Sequence, residues 1–242
     1  MKKMTKFFAL ALLAGAMVSC STEDIAPSTQ NDKVAVQFTG GINVNTRAAG
    51  VAWADGDKIG IFMTEAGKTL SADAIREGVD NVCYQSNGSI AFSPISGGKT
   101  IFFPIDGDVD FYSYYPQTTV NDYKVALDVT DQTKQETIDF MYAKTEGCNK
   151  ATPQVFLKFY HKLSNLVLDV QPGNGLTQED LKKMTVTVKG QNTKATFNLA
   201  DGTISGEGNP TDIKMKTTQA GKLYEAILLP TEEASRVIEF DL

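Results

Sequence analysis

The sequence predicts an all-β fold, either a sandwich or a barrel, and three observations support this prediction. Apolar and polar residues alternate with a period of two in many short segments, which is typical of half-buried strands. Residues that favour turns, mainly Gly, Pro, Asn and Asp, separate these segments. No part of the chain after the N-terminal apolar stretch has the pattern of a long helix or of a solenoid repeat.

Residues 1–20 have the organisation of an export signal. Three lysines precede an apolar stretch from Phe7 to Val18, which is too short to span a bilayer as a helix. Cys20 follows small residues directly, as in a bacterial lipobox, although Met17 replaces the usual Leu. We therefore expect lipidation of Cys20. The alternatives are a plain signal peptide that is cut nearby and a buried hydrophobic helix.

The charge of the chain restricts its partners. The net charge of −6 becomes −9 once the three lysines before Cys20 are removed. An acidic surface disfavours nucleic acid and anionic lipids, so we expect no nucleic-acid partner and attachment to the outer membrane through acyl chains on Cys20. The acidic run Ser21 to Asp24 resembles a surface-export signal of Gram-negative lipoproteins, or is simply a solvated linker.

Residues 21–47 are expected to form a tether followed by a first strand. The tether is rich in Ser, Thr, Asn, Asp and Pro. Val34, Val36 and Phe38 then alternate with polar or small residues, which predicts a strand with one apolar face. The pair Gly40-Gly41 is expected to end that strand.

Residues 48–172 are expected to form an N-terminal β-sandwich. Asp55-Gly56-Asp57 predicts a turn, and the segment Val109 to Tyr115 predicts a strand that is apolar on both faces. In the longest segment, Val155 to Val170, the apolar residues occupy every second position, and near Ser164-Asn165 they move to the other set of alternate positions. This switch predicts a bulge or sharp bend, which would let the segment pack against two surfaces. Further strands are expected at 58–63, 82–85, 90–92, 100–103 and 123–129.

Gln171 to Gly175 breaks the pattern and marks the predicted domain boundary. Residues 173–242 contain alternating segments at 184–188, 195–199 and 238–242 and an apolar one at 223–229. These segments predict a second, C-terminal sandwich. Its 70 residues are few for an independent sandwich, and the last strand has no polar tail. We therefore expect this domain to be truncated.

The residue types of enzyme and metal sites are scarce, which predicts a protein that is not an enzyme and that has no cofactor or metal. His161 is the single histidine and lies on the apolar face of a strand. We expect a hydrogen-bonded core residue rather than the base of a catalytic triad.

Cys83 and Cys148 are expected to remain free thiols. The alternative is a disulfide between them, because the environment outside the inner membrane is oxidising.

Two further groups of residues have an alternative functional interpretation. Asp106 to Asp110 starts like a calcium loop, but Phe111 and Gln117 stand where Gly and Glu are required, so a solvated turn is expected. Three tyrosines are expected to pack on the sheet, with stacking on a glycan as the alternative; they are Tyr112, Tyr114 and Tyr115.

The segment around Arg47 and Ala48 is a candidate processing site. It combines small residues with one basic residue, between the first strand and Trp53. A protease reaches such segments readily. The alternative is a loop arginine without a role.

Several short motifs follow one another along the chain from Met1 to about Val170. They are the lipobox at Cys20, the strand Val34 to Phe38, Thr46-Arg47-Ala48, the segment Trp53 to Phe62, Phe111 to Pro116 and Phe159 to Ser164. No single motif is specific, but their order is, and in this order they resemble the motifs of the fimbrillin family of Gram-negative anaerobes.

The resemblance implies two tandem transthyretin-like sandwiches and a lipoprotein precursor. It also implies that an arginine-specific protease cuts after Arg47 and removes the first strand, and that a strand of another subunit fills the vacated groove. The chain would then be a stalk, tip or anchor subunit of a cell-surface fimbria with a role in adhesion, first lipid-anchored at the outer membrane and then in the fimbrium. Its partners would be other fimbrial subunits and possible host proteins or glycans. The alternative is a surface glycan-binding lipoprotein that does not polymerise.

Overall fold

A computed structural model of the chain describes residues 33–43, 52–206, 208, 210–231 and 236–242. This part of the chain contains three short 3₁₀ helices, Ala72–Ala74, Gln135–Thr137 and Asp180–Lys183, and is otherwise built from strands, so the predicted all-β fold is confirmed. None of the described helices is long and apolar enough to cross a membrane. The strands are β1 (Gln37–Ile42), β2 (Asp55–Glu65), β3 (Val82–Asn87), β4 (Ala91–Pro94), β5 (Val109–Tyr115), β6 (Lys124–Asp128), β7 (Met141–Cys148), β8 (Gln154–His161), β9 (Ser164–Asp169), β10 (Thr185–Gln191), β11 (Lys194–Asn198), β12 (Ile204–Gly206), β13 (Thr211–Lys214), β14 (Lys216–Gln219), β15 (Leu223–Leu228) and β16 (Val237–Asp241).

Seven strands form one closed barrel in the order β1-β4-β3-β2-β5-β7-β8, with β8 pairing back to β1. The pair of β1 and β8 is parallel, whereas the other pairs in the ring are antiparallel. Strand β1 thus lies between β4 and β8 and closes the ring.

The other described strands form three small sheets, ordered β13-β10-β16, β12-β11-β6 and β14-β15-β9. β6 and β9 precede Pro172 in the chain, yet they pair with β11 and β15, which follow it. Strands from both sides of the expected domain boundary therefore share sheets, and a division between residues 172 and 173 stays a prediction.

Within the described ranges, buried apolar side chains form two separate clusters. The barrel core draws its side chains from the part of the chain between Val36 and Phe159. The second core draws its side chains from the part between Phe62 and Leu229. Strand β5 contributes to both, because Val109, Phe111 and Tyr115 point into the barrel core whereas Tyr112 and Tyr114 point into the second core. The prediction that this strand is apolar on both faces is confirmed.

The segment from residue 155 to 170 serves two packing surfaces as predicted, although two strands rather than one bulged strand achieve this. β8 ends at His161 and β9 begins at Ser164. β8 places Val155, Leu157 and Phe159 in the barrel core, and β9 packs its partly buried leucines against the second core. The switch of parity marks the point at which the chain leaves one sheet for another.

Two local predictions are wrong and one is confirmed. The first strand continues through Gly40-Gly41 to Ile42, because both glycines stay in the ladder with β8. Asp55-Gly56-Asp57 forms the predicted turn, because the N–H of Asp57 donates to the carbonyl of Ala54 (3.3 Å) and Gly56 has a positive φ of 91°. The turn lies at the start of β2, where the register with β3 shifts. Residues 100–103 form only an isolated bridge from Phe102 to Ala35, and Pro104 follows directly, which lacks the N–H that a longer ladder needs.

Candidate functional site

The candidate site is the position that β1 occupies in the barrel, hereafter the β1 seat. On one side β1 runs antiparallel to β4, with Phe38 opposite Phe92. On the other side it runs parallel to β8, with Gln37 opposite Gln154 and Ile42 opposite Phe159. Because β4 and β8 are joined through β1, removal of β1 would leave both with an unpaired edge. Such edges accept another strand readily.

Backbone hydrogen bonds tie β1 and the residues before it to three neighbouring segments. The N–H of Val36 donates to the carbonyl of Ile101 (3.0 Å), and the N–H of Gln37 donates to the carbonyl of Pro153 (2.9 Å). The N–H of Gly40 donates to the carbonyl of Ile90 at 2.7 Å. The acceptor carbonyls stay on the barrel as unpaired groups when β1 and the residues before it are absent, so the seat can bond to another peptide backbone.

The inward side chains of β1 and the preceding residues fill the barrel core. Val36 and Phe38 are buried, with 5% and 2% of their surface exposed. The Phe38 ring lies edge-on to the rings of Tyr84 and Phe111, at centroid distances of 5.3 and 5.1 Å. Val34 is partly buried against the same core. The predicted apolar face of the first strand is confirmed.

Gly40 continues this inward face, and sequence reasoning missed its role. The indole N–H of Trp53 donates to the carbonyl of Gly40 at 2.8 Å. Trp53 is itself buried, edge-on to the rings of Phe92, Phe159 and Tyr115. A signal existed in the sequence, because Gly40 has the same parity as Val36 and Phe38 and so belongs to the buried face.

The two predicted modification sites, lipidation of Cys20 and proteolytic processing between Arg47 and Ala48, lie outside the described residues. Their positions in the sequence still relate to the seat. β1 precedes Arg47, whereas Trp53 and the other strands of the barrel follow it. A cut after Arg47 would therefore separate β1 covalently from every other strand that forms its seat.

His161 is a buried, hydrogen-bonded residue, as predicted. Its Nδ1 lies 2.8 Å from Oδ1 of Asp139. Only 3% of the histidine side chain and 9% of the aspartate side chain are exposed. The pair links the end of β8 to the segment that leads into β7, which is the arrangement of a structural contact between neighbouring strands.

Cys83 and Cys148 are free thiols that are partly buried. Burial raises the pKa of Cys83, and the positive charge of Lys58 opposes this only in part. Burial, followed by the negative charges of Asp110 and Asp108, raises the pKa of Cys148 to about 11. Both thiols are therefore protonated at neutral pH, which makes them poor nucleophiles.

The tyrosines considered for stacking on a glycan are buried, so that interpretation is wrong for these residues. Tyr112 and Tyr114 lie in the second core and Tyr115 in the barrel core. Their hydroxyl groups bond to protein atoms, including the carbonyl of Thr118 for Tyr114 (2.7 Å) and Oδ1 of Asp57 for Tyr115 (3.0 Å). The rings act as cross-sheet packing residues.

The acidic segment from Asp106 to Asp110 is only partly the solvated turn that was expected. Asp110 is buried in β5, where its carboxylate accepts hydrogen bonds from the N–H groups of Gly67 (2.8 Å) and Gly147 (2.9 Å). This carboxylate joins the turn after β2 to strand β7, and each of its two oxygens accepts one of these hydrogen bonds. Across the described ranges, no group of three or more His, Cys, Asp and Glu residues is arranged to hold a metal ion.

The fimbrillin-like family model matches residues 46–242. The chain is also 37% identical over 235 residues to Fim1C, a proposed fimbrium subunit of Bacteroides uniformis. That alignment covers 91% of this chain and 73% of the relative.

Solved structures of two proposed cell adhesion proteins have a similar fold. One, from Bacteroides uniformis, is 34% identical with a TM-score of 0.72, covering 86% of this chain and 80% of its own. The other, from Bacteroides ovatus, is 25% identical with a TM-score of 0.68, covering 86% of this chain and 82% of its own. The family model spans most of the sequence, and the alignment with Fim1C covers most of that relative's length. The chain belongs to the fimbrillin-like family.

Proposed function

We propose that this chain is a structural subunit of a cell-surface fimbria that assembles by strand exchange. In this proposal, cleavage after Arg47 releases β1, and an extended segment of another subunit enters the β1 seat. The observation that carries the proposal is the position of β1, which closes the barrel but lies on the other side of Arg47 from the rest of it. Addition of a strand to an open sheet edge is a common way for proteins to bind an extended peptide.

The energetics of the seat support exchange over simple loss of the strand. Val36 and Phe38 are almost fully buried, and burial of two such side chains contributes about 3–6 kcal/mol. An empty seat would also expose the backbone groups that bond to β1. These two costs give a cleaved subunit a strong tendency to bind another strand of the same pattern.

Other parts of the proposal follow from family membership and from the sequence. The precursor carries lipid on Cys20 and is anchored at the outer membrane until it is processed. Its relatives are proposed cell adhesion proteins, which supports a role in adhesion. The tandem arrangement of two transthyretin-like sandwiches remains part of the proposal. The presence of two separate apolar cores supports it.

Size-exclusion chromatography of the full chain, before and after treatment with an arginine-specific protease, tests the proposal. We expect a monomeric precursor, a cut after Arg47 that mass spectrometry detects, and then oligomers or binding of an added donor peptide. An Arg47→Lys variant is the matched control, because it keeps the charge but resists this protease. A cleaved chain that stays a compact monomer and binds no strand would contradict the assembly mechanism.

Lipidation of Cys20 is tested separately. Mass spectrometry of the precursor from native membranes should find acyl chains on Cys20, and a Cys20→Ala variant should leave the membrane fraction. An unmodified Cys20, or an N-terminus at another residue in the unprocessed precursor, would contradict lipid anchoring without affecting the exchange mechanism.

A further inference from the structure

We propose that the β1 seat selects its partner by requiring a glycine at the position that Gly40 occupies. The partner is an extended segment of another subunit with two inward apolar side chains, at the positions of Val36 and Phe38, followed two residues later by glycine. This inference rests on the proposed strand exchange, and it adds a rule for which strands the seat accepts.

The barrel core leaves no room for a side chain at the position of Gly40. A Cβ atom built on Gly40 would lie 2.8 Å from Cε2 of Phe92 and 3.2 Å from Cε2 of Phe159. Both rings are buried, with 5% and 0% of their surface exposed, and each packs edge-on against Trp53 at a centroid distance of 5.0 Å. Neither ring has space to withdraw, because a close-packed core transmits such shifts to its neighbours.

The requirement is steric rather than conformational. Gly40 does not have a positive φ, so other residues can adopt its backbone conformation without strain. The constraint therefore comes from what surrounds the strand. A donor strand with any larger residue at this position would overpack the core, which typically costs enough to weaken binding about 5- to 150-fold.

The adjacent Gly41 provides an internal comparison. A Cβ atom on Gly41 would lie 2.7 Å from Cζ of Phe156, which is as close a contact as the one at Gly40. The Phe156 ring, however, is 53% exposed, and the contact is with its far end, so the ring can rotate away into solvent. The two neighbouring glycines thus differ in whether the aromatic ring beside them is free to move.

Trp53 sets the register of the incoming strand. Its indole N–H donates to the carbonyl of Gly40, and Trp53 follows Arg47 in the chain, so it stays with the seat after cleavage. A strand that places its glycine at this position brings the glycine carbonyl to the indole. A strand shifted by one residue would turn its apolar side chains outward, and a strand shifted by two would place a side chain against Phe92 and Phe159.

Peptide binding to the cleaved full chain tests the inference. The probes are three fluorescein-labelled 11-residue peptides with the sequence of residues 33–43: the parent, Gly40→Ala and Gly41→Ala. Both substitutions lower the entropy of the free peptide equally, so their comparison isolates the contact inside the seat. Fluorescence anisotropy gives the dissociation constants, and the emission of Trp53, the single tryptophan, reports occupation of the seat.

We expect the Gly40→Ala peptide to bind at least about tenfold more weakly than the Gly41→Ala peptide, and the Gly41→Ala peptide to match the parent within about threefold. Equal binding of all three peptides would overturn the glycine rule and leave strand exchange intact. Binding of none of them to a chain that is verified as cut after Arg47, at concentrations up to the millimolar range, would overturn strand exchange and the glycine rule together.

Discussion

Replacement of Phe38 by Ala should destabilise the uncleaved precursor strongly. Phe38 is 2% exposed and contacts Tyr84 and Phe111 edge-on inside the barrel core. Removal of a buried Phe side chain typically costs about 3–5 kcal/mol, through lost transfer free energy and a residual cavity. We expect a decrease of this size in the free energy of unfolding. Because Phe38 lies on β1, a cleaved chain that has released β1 should show no difference from wild type.

Urea unfolding measured by Trp53 fluorescence gives the required free energies, since Trp53 is buried beside β1. The matched control is Gln37→Ala, because Gln37 is the preceding residue on the same strand and its side chain is exposed. Its substitution should change stability by no more than about 0.5 kcal/mol. A loss below about 1 kcal/mol for Phe38→Ala, or the same loss in the cleaved and released form, would refute the assignment of β1 as a core strand.

Two further substitutions test contacts outside the β1 seat. His161→Ala should lower the free energy of unfolding by about 1–3 kcal/mol, because the buried carboxylate of Asp139 loses its partner; unchanged thermal stability of the variant would contradict this. Gln132→Ala should cost a similar amount, about 1–3 kcal/mol, because Gln132 accepts from the N–H of Ile227 (2.8 Å) and donates to its carbonyl (2.9 Å). Hydrogen exchange at the Ile227 amide should accelerate in that variant, and an unchanged rate would show that the contact is not maintained in solution.

The local features of this fold were readable from the sequence. The alternation of Val36 and Phe38 predicted a buried face, and the parity of Val109 to Tyr115 predicted a strand with two buried faces. The parity switch near Ser164 located the point where the chain passes from β8 to β9. These features are local because the two-residue period of a strand is a property of its own backbone. The order of the short motifs along the chain is also a property of the sequence, and it indicated the family.

Only the tertiary structure decided which strands are neighbours and what lies behind each of them. β1 pairs with β8, more than a hundred residues away in sequence. The sequence predicted that Gly40 ends the first strand, whereas in the structure Gly40 lies within β1 and is surrounded by Phe92, Phe159 and Trp53. Asp110 likewise lies in an acidic segment that predicts a solvated turn, but its carboxylate accepts hydrogen bonds from Gly67, in the turn after β2, and from Gly147 in β7. The alternation of apolar and polar residues predicts which side chains point inward, but closure of a barrel depends on strands that are distant in sequence. The space left at each inward position depends on side chains that the local sequence does not contain.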